Sequence, residues 1–177
     1  MILILSFLEF LFGTLLHFLY DFFPYPLIAI LSPINESIFE HLKLLVYPML
    51  LGYFILYGIK KPDIRKYMNA VVGGIISGLL TLVLIYYFVR YELGIESLIF
   101  DIVLLLISII VGNLVSYSIY RQSQGKTWKI SIIVLIILIF LMILGTFQPL
   151  GLLFSRRKSS DYTASMIDSN SFKIVSK

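Results

Sequence analysis

The chain contains no cysteine. Disulfides, thiolate metal sites and cysteine nucleophiles are therefore excluded. Charge is scarce as well. Asp, Glu, Lys and Arg make up 14% of the residues, against about 25% in a soluble domain. There are only two histidines and one tryptophan. No Gly-x-Ser-x-Gly elbow, phosphate-binding glycine loop or DNA-binding signature occurs. The formal charge of +4 is spread over loops and tail, so nucleic acid is not an expected partner. No internal repeat is visible, which disfavours an inverted-repeat transporter.

What fills the chain instead is apolar. It is 59% hydrophobic and 15% aromatic, with a mean hydropathy of +0.98. Five apolar segments, near 2–23, 34–59, 67–90, 98–120 and 129–149, match the roughly 20 residues that a helix needs to cross a bilayer. The expected fold is all-α: a membrane-spanning bundle of about five helices, with a short interfacial segment between the first two. The expected domains are a helical body over 1–154 and a polar, flexible tail over 155–177. The lipid bilayer is the first expected partner. The first segment carries Glu9, His17 and Asp21 and lacks a basic leader and a small-residue cleavage site. It reads as a retained helix rather than a signal peptide.

Charge placement sets an expected orientation. Lys60, Lys61, Arg65 and Lys66 lie in the second connection, and Arg121, Lys126 and Lys129 in the fourth. The first connection has no basic residue before Lys43, and the third sets Arg90 against Glu92, Glu96 and Asp101. The positive-inside rule then predicts a multi-pass protein of the cell membrane with a cytoplasmic amino terminus. Five spans put the carboxyl terminus outside, although the tail begins Arg156-Arg157-Lys158. His17, Asp21, the string from Ser32 to Lys43 and the Arg90–Asp101 region then gather at the outer face.

Glu9, Gly13, His17 and Tyr20 recur at spacings of three and four, so they share one helical face. Prolines 24 and 26 break the helix before a run too short to cross, which predicts an interfacial lid. Ser32-Pro33 then reads as the N-cap and first residue of the second span, with Pro48 inside it. In the third span Gly74-x-x-x-Gly78 permits close helix packing. It is a candidate face for a homo-oligomer. Asp101 and Asn113 lie on the fourth span, and the fifth is nearly featureless, as a lipid-facing helix would be. Glu9 falls within the bilayer. It is read either as a proton relay or as an acid hydrogen-bonded to Asn69 or Asn113.

The string Ser32-Pro33-Ile34-Asn35-Glu36-Ser37-Ile38-Phe39-Glu40-His41-Leu42-Lys43 holds two of the ten acids and one of the two histidines. Ionisable groups are expensive inside a membrane, so their clustering marks a candidate site. Glu36, Glu40, Lys43 and Tyr47 form one helical stripe; Ser37 and His41 form its neighbour. Three readings stay open. One is a divalent metal held by His17, Asp21, Glu36 and Glu40, with Glu40 and His41 in acid–base roles. The spacing matches neither His-Glu-x-x-His nor Glu-x-x-His. The second is structural: Asn35, Glu36 and Ser37 cap the helix, while Glu40–Lys43 and Glu36–His41 neutralise each other. The third is a cation or proton pathway continuing past Glu9 toward Asn69 and Asn113.

With Gly13, His17 and Tyr20 followed by Pro33, Asn35, Glu36, Ser37, Glu40, His41 and Lys43, the chain resembles a family of small, uncharacterised bacterial membrane proteins. The family is catalogued as domain of unknown function 6512. Its pattern pairs a Gly-x-x-x-His-x-x-Tyr first helix with a Pro-x-Asn-Glu-Ser-x-x-Glu-His-x-Lys second helix. The resemblance implies the helical fold and the site, and no chemistry. The family's closing segment, proline and Leu-Phe followed by an acid and a tyrosine, is echoed by Pro149, Leu153-Phe154 and Asp161-Tyr162. Ser155-Arg156-Arg157 stands where the acid is expected.

Overall fold

The computed structural model describes residues 2–34 and 37–147. Among them there are six α-helices and no strand: α1 (Ile2–Phe22), α2 (Pro26–Leu31), α3 (Ile38–Lys60), α4 (Ile64–Tyr87), α5 (Leu98–Gln122) and α6 (Trp128–Phe147). A π-helical stretch, Phe88–Glu92, extends α4. Five of these helices, α4 counted with its extension, are long and apolar enough to cross a membrane. That is the number and order expected. The tail and its echo of the family ending, from residue 148 onward, lie outside the described residues.

Local chemistry sets the boundaries. α1 stops before Pro24, and Pro26 opens α2 at a position where its missing N–H costs nothing. Lys61 closes α3 in the left-handed conformation at φ 44°, donating its N–H to the Tyr57 carbonyl at 2.8 Å, and Pro62 prevents continuation. The Asp63 carboxylate caps α4 by accepting from Arg65 N–H at 2.9 Å.

The start of α3 differs from expectation. Ser37 is its N-cap, accepting from Glu40 N–H at 3.3 Å, and the helix begins at Ile38 rather than near 34. Ser32 closes α2 instead, its N–H bonding to Ile28 carbonyl at 2.8 Å. Its buried hydroxyl reaches α1, donating to Leu16 carbonyl at 2.5 Å and accepting from Tyr20 N–H at 3.1 Å. Those two groups are the i and i+4 partners of one helical step. A cap for the next helix and a clasp for the last one look alike in sequence, and here the clasp wins.

The connections bring the α3–α4 and α5–α6 turns to one end, where the Arg65 side chain lies 2.9 Å from the position a Gly125 Cβ would take. We call it the basic end. α2 and the starts of α3 and α5 lie at the other, the lid end. α4 and α5 form the most extensive pair, α1 packs on α3 and α5, and α6 packs mainly on α4. The shared core includes Leu45, Met49, Ile75 and Ile109, all fully buried. Outward faces are apolar: Phe7, Leu11, Leu15 and Phe18 on α1, and Ile130, Ile133 and Phe140 on α6, are exposed. Apolar cover on this scale suits lipid rather than water.

Small residues let the helices touch. A Cβ on Gly74 would lie 2.8 Å from the Gly112 carbonyl, one on Gly112 2.8 Å from the Gly74 carbonyl, and one on Gly78 3.0 Å from the Ser108 carbonyl. The Gly74/Gly78 face is therefore filled by α5 of the same chain. The motif expected as a candidate homo-oligomer face does its close packing on α5.

Candidate functional site

The lid-end cluster is built from α1, α2 and α3. Glu40 sits in the first turn of α3 and Lys43 one turn on, both fully buried. Lys43 Nζ donates to Glu40 Oε2 at 2.7 Å and to the Ala29 carbonyl of α2 at 2.8 Å. Glu40 Oε2 also accepts from Ile34 N–H at 3.0 Å. One ion pair thus fastens the lid helix, the following connection and α3 together. This is the Glu40–Lys43 pairing that the structural reading requires.

The other carboxylate oxygen differs. Among the described residues Glu40 Oε1 is buried and has no hydrogen-bond partner, and the same is true of the Tyr47 hydroxyl. Tyr47 stands two turns below Glu40 on α3, and helical side chains lean toward the N-terminus.

His17 of α1 and His41 of α3 meet at the same end of the bundle. Their ring centroids are 5.3 Å apart, tilted by 44°, and His41 Nδ1 lies 2.8 Å from the Ser37 carbonyl. Gly13 makes the approach of the two helices possible. A Cβ there would lie 2.6 Å from the Leu44 carbonyl, the group to which Pro48 has no N–H to offer.

The remaining expected residues fare differently. Asp21 is exposed at the end of α1. Asn35 and Glu36, and with them the Glu36–His41 contact, lie outside the described residues. Among the described residues no three His, Asp or Glu side chains form a group suited to a metal ion. Asp101 is tied to Arg90 (Nη2 to Oδ2, 2.9 Å), which also reaches Glu96 at 3.6 Å and stacks 4.7 Å over the Tyr86 ring. Those contacts lock the α4–α5 connection.

A second polar group lies deeper. Asn113 Nδ2 donates to Glu9 Oε2 at 2.6 Å and to Ser6 Oγ at 2.9 Å, all three residues being buried. Asn113, rather than Asn69, is thus the partner of Glu9. Asn69 instead bonds Ser123 and Ser131 near the basic end. The Glu9 carboxylate rests directly against Gly52, so the seam is closed by contact at that level. Sequence reasoning missed Ser6, although its i, i+3 spacing to Glu9 was there to read. It also missed the Ala29 carbonyl, which no side-chain pattern can reveal.

The model of one family matches residues 1–163, which takes in every helix and both polar clusters. The chain belongs to the family of unknown function DUF6512. It is an integral membrane protein by its helices. Comparison with curated proteins and with solved structures returned no match. His17, Ser37, Glu40, His41 and Lys43, on which the sequence resemblance rested, come together at the lid end. Gly13 is the contact that lets their two helices meet.

Proposed function

We propose that the lid-end cluster is a ligand site. It faces the outer side of the cell membrane, and it holds a small molecule that offers N–H or O–H groups to Glu40 Oε1 and Tyr47 Oη between the two histidines. The amino terminus is cytoplasmic in this reading and the carboxyl terminus outside. The carrying observation is the pair of unpartnered oxygens. Leaving such groups buried costs about 1–3 kcal/mol each by protein mutational data, a cost that a bound donor would offset. Lys43 neutralises Glu40, so the site suits a neutral donor or a small amine rather than an anion. The gathering of Lys and Arg at the opposite end supports the outward orientation.

Tyr47→Phe tests this directly. If the hydroxyl is held for a ligand, removing it relieves a desolvation cost, and purified Tyr47→Phe melts above the wild type. Ammonium, methylammonium, ethanolamine and glycerol are then screened for stabilisation of wild type that the variant loses. A Tyr47→Phe protein that melts lower would show that the hydroxyl already has a structural bond, and would sink the proposal.

A metal version of the site is favoured by one observation: the two imidazoles lie 5.3 Å apart, with His41 next to Glu40 in the chain. Glu36 would be a further ligand, and a bound metal would supply Lewis-acid activation of water. Elemental analysis of gently purified protein, beside Glu36→Gln and Glu40→Gln, separates this version from the neutral-donor one. Stoichiometric zinc, iron or manganese in wild type alone would establish it.

A further inference from the structure

At the basic end, α6 packs mainly on α4, and a cleft of about 480 Å³ opens between α5 and α6. Asn69, Val72 and Gly73 of α4 form its floor. Ser118 and Gln122 of α5 and Ser123, Thr127 and Ser131 of the opposite wall surround it. A second groove of about 370 Å³ shares Ser118 and Gln122 and runs on to Tyr117 and Arg121. The lining is pre-ordered: Asn69 Nδ2 donates to Ser123 Oγ at 2.9 Å, Ser131 Oγ to Asn69 Oδ1 at 2.8 Å, and Gln122 Nε2 to Ser118 Oγ at 2.9 Å.

Two further features indicate what fits. This end carries Lys60, Lys61, Arg65, Lys66, Arg121, Lys126 and Lys129 against a single acid, Asp63. The Arg121 guanidinium stands at the groove mouth, 5.8 Å over the Tyr117 ring. Hydroxyl and amide donors with a cation at the rim suit an anion carrying several oxygens, as a phosphate does. The same helices present exposed Leu114 on α5 and Ile130 and Ile133 on α6, apolar surface against which acyl chains can lie.

We infer that the α4–α5–α6 cleft and its adjoining groove bind the phosphate headgroup of an anionic phospholipid, with Arg121 of the groove as the charge contact and Ser118, Gln122 and Ser123 as hydrogen-bond partners. This site is separate from the lid-end cluster, and neither reading depends on the other.

The test is lipid retention by purified full-length protein, read by native mass spectrometry after exchange with vesicles of phosphatidylglycerol or phosphatidylcholine. Wild type is expected to retain phosphatidylglycerol in preference. Arg121→Gln is expected to weaken that retention about fivefold, the size of one interfacial charge. Lys61→Gln, at the same end but outside the cleft, leaves it unchanged. Ser118→Trp fills the mouth without altering charge and abolishes the preference, while the melting point in phosphatidylcholine stays at the wild-type value. Equal retention of the two lipids overturns the inference, as does equal loss in Arg121→Gln and Lys61→Gln, which would mark a diffuse charge effect. Protection by inorganic phosphate to the same extent as by phosphatidylglycerol would make the ligand a free anion and overturn the lipid assignment.

Discussion

Lys43 is fully buried, and its ammonium is shared between the Glu40 carboxylate and the Ala29 carbonyl. Removing one partner of such a pair leaves an uncompensated charge, a loss of about 3–5 kcal/mol, whereas replacing both by apolar groups is often neutral. Lys43→Met should therefore lower the melting temperature sharply, and Lys43→Met with Glu40→Met should recover most of the loss. A double variant no better than the single would show that Lys43 stabilises through Ala29 alone. At this scale the residue types were readable, since Glu40 and Lys43 stand three apart on any helix. Their burial was not, because it depends on a lid that two prolines place from outside the helix.

Elements meet through groups that sequence patterns barely mark. Ser32 bridges Leu16 and Tyr20 on α1, so Ser32→Ala should cost on the order of 1 kcal/mol and speed amide exchange at Tyr20, measured by deuterium uptake. Unchanged exchange there would remove the clasp from the account. Gly112 faces the Gly74 carbonyl. Gly112→Val should separate α4 from α5 and lower stability more than the same change at Gly58, where a Cβ meets nothing within 4 Å. Equal effects would contradict the close packing. The Gly74-x-x-x-Gly78 motif announced a tight contact. Which helix supplied the other half was a tertiary matter, decided by the small residues Ser108, Gly112 and Ser116 on α5.

For the whole molecule, the charge asymmetry between the two ends predicts orientation. The absence of cysteine makes the check clean, because single cysteines can be introduced without background. Lys61→Cys should be labelled by an impermeant maleimide only after the membrane is opened, and Leu93→Cys in intact cells. The reverse pattern would invert the topology and place the lid-end site on the cytoplasmic side.

Hydropathy and proline placement alone determined the five spans, their order and the broken first connection. These follow from bilayer thickness and from the hydrogen bond that proline cannot make. The His17, Glu40, His41 and Lys43 set was also visible, since charge in an apolar chain is conspicuous. Only the tertiary structure decided which groups are satisfied. Among the described residues Glu40 Oε2 is bonded and Oε1 is not, Asn113 rather than Asn69 meets Glu9, and a cleft opens where α6 leans on α4 instead of α5. Those outcomes turn on ångström-scale approaches between helices far apart in the chain, which residue spacing along one helix does not encode.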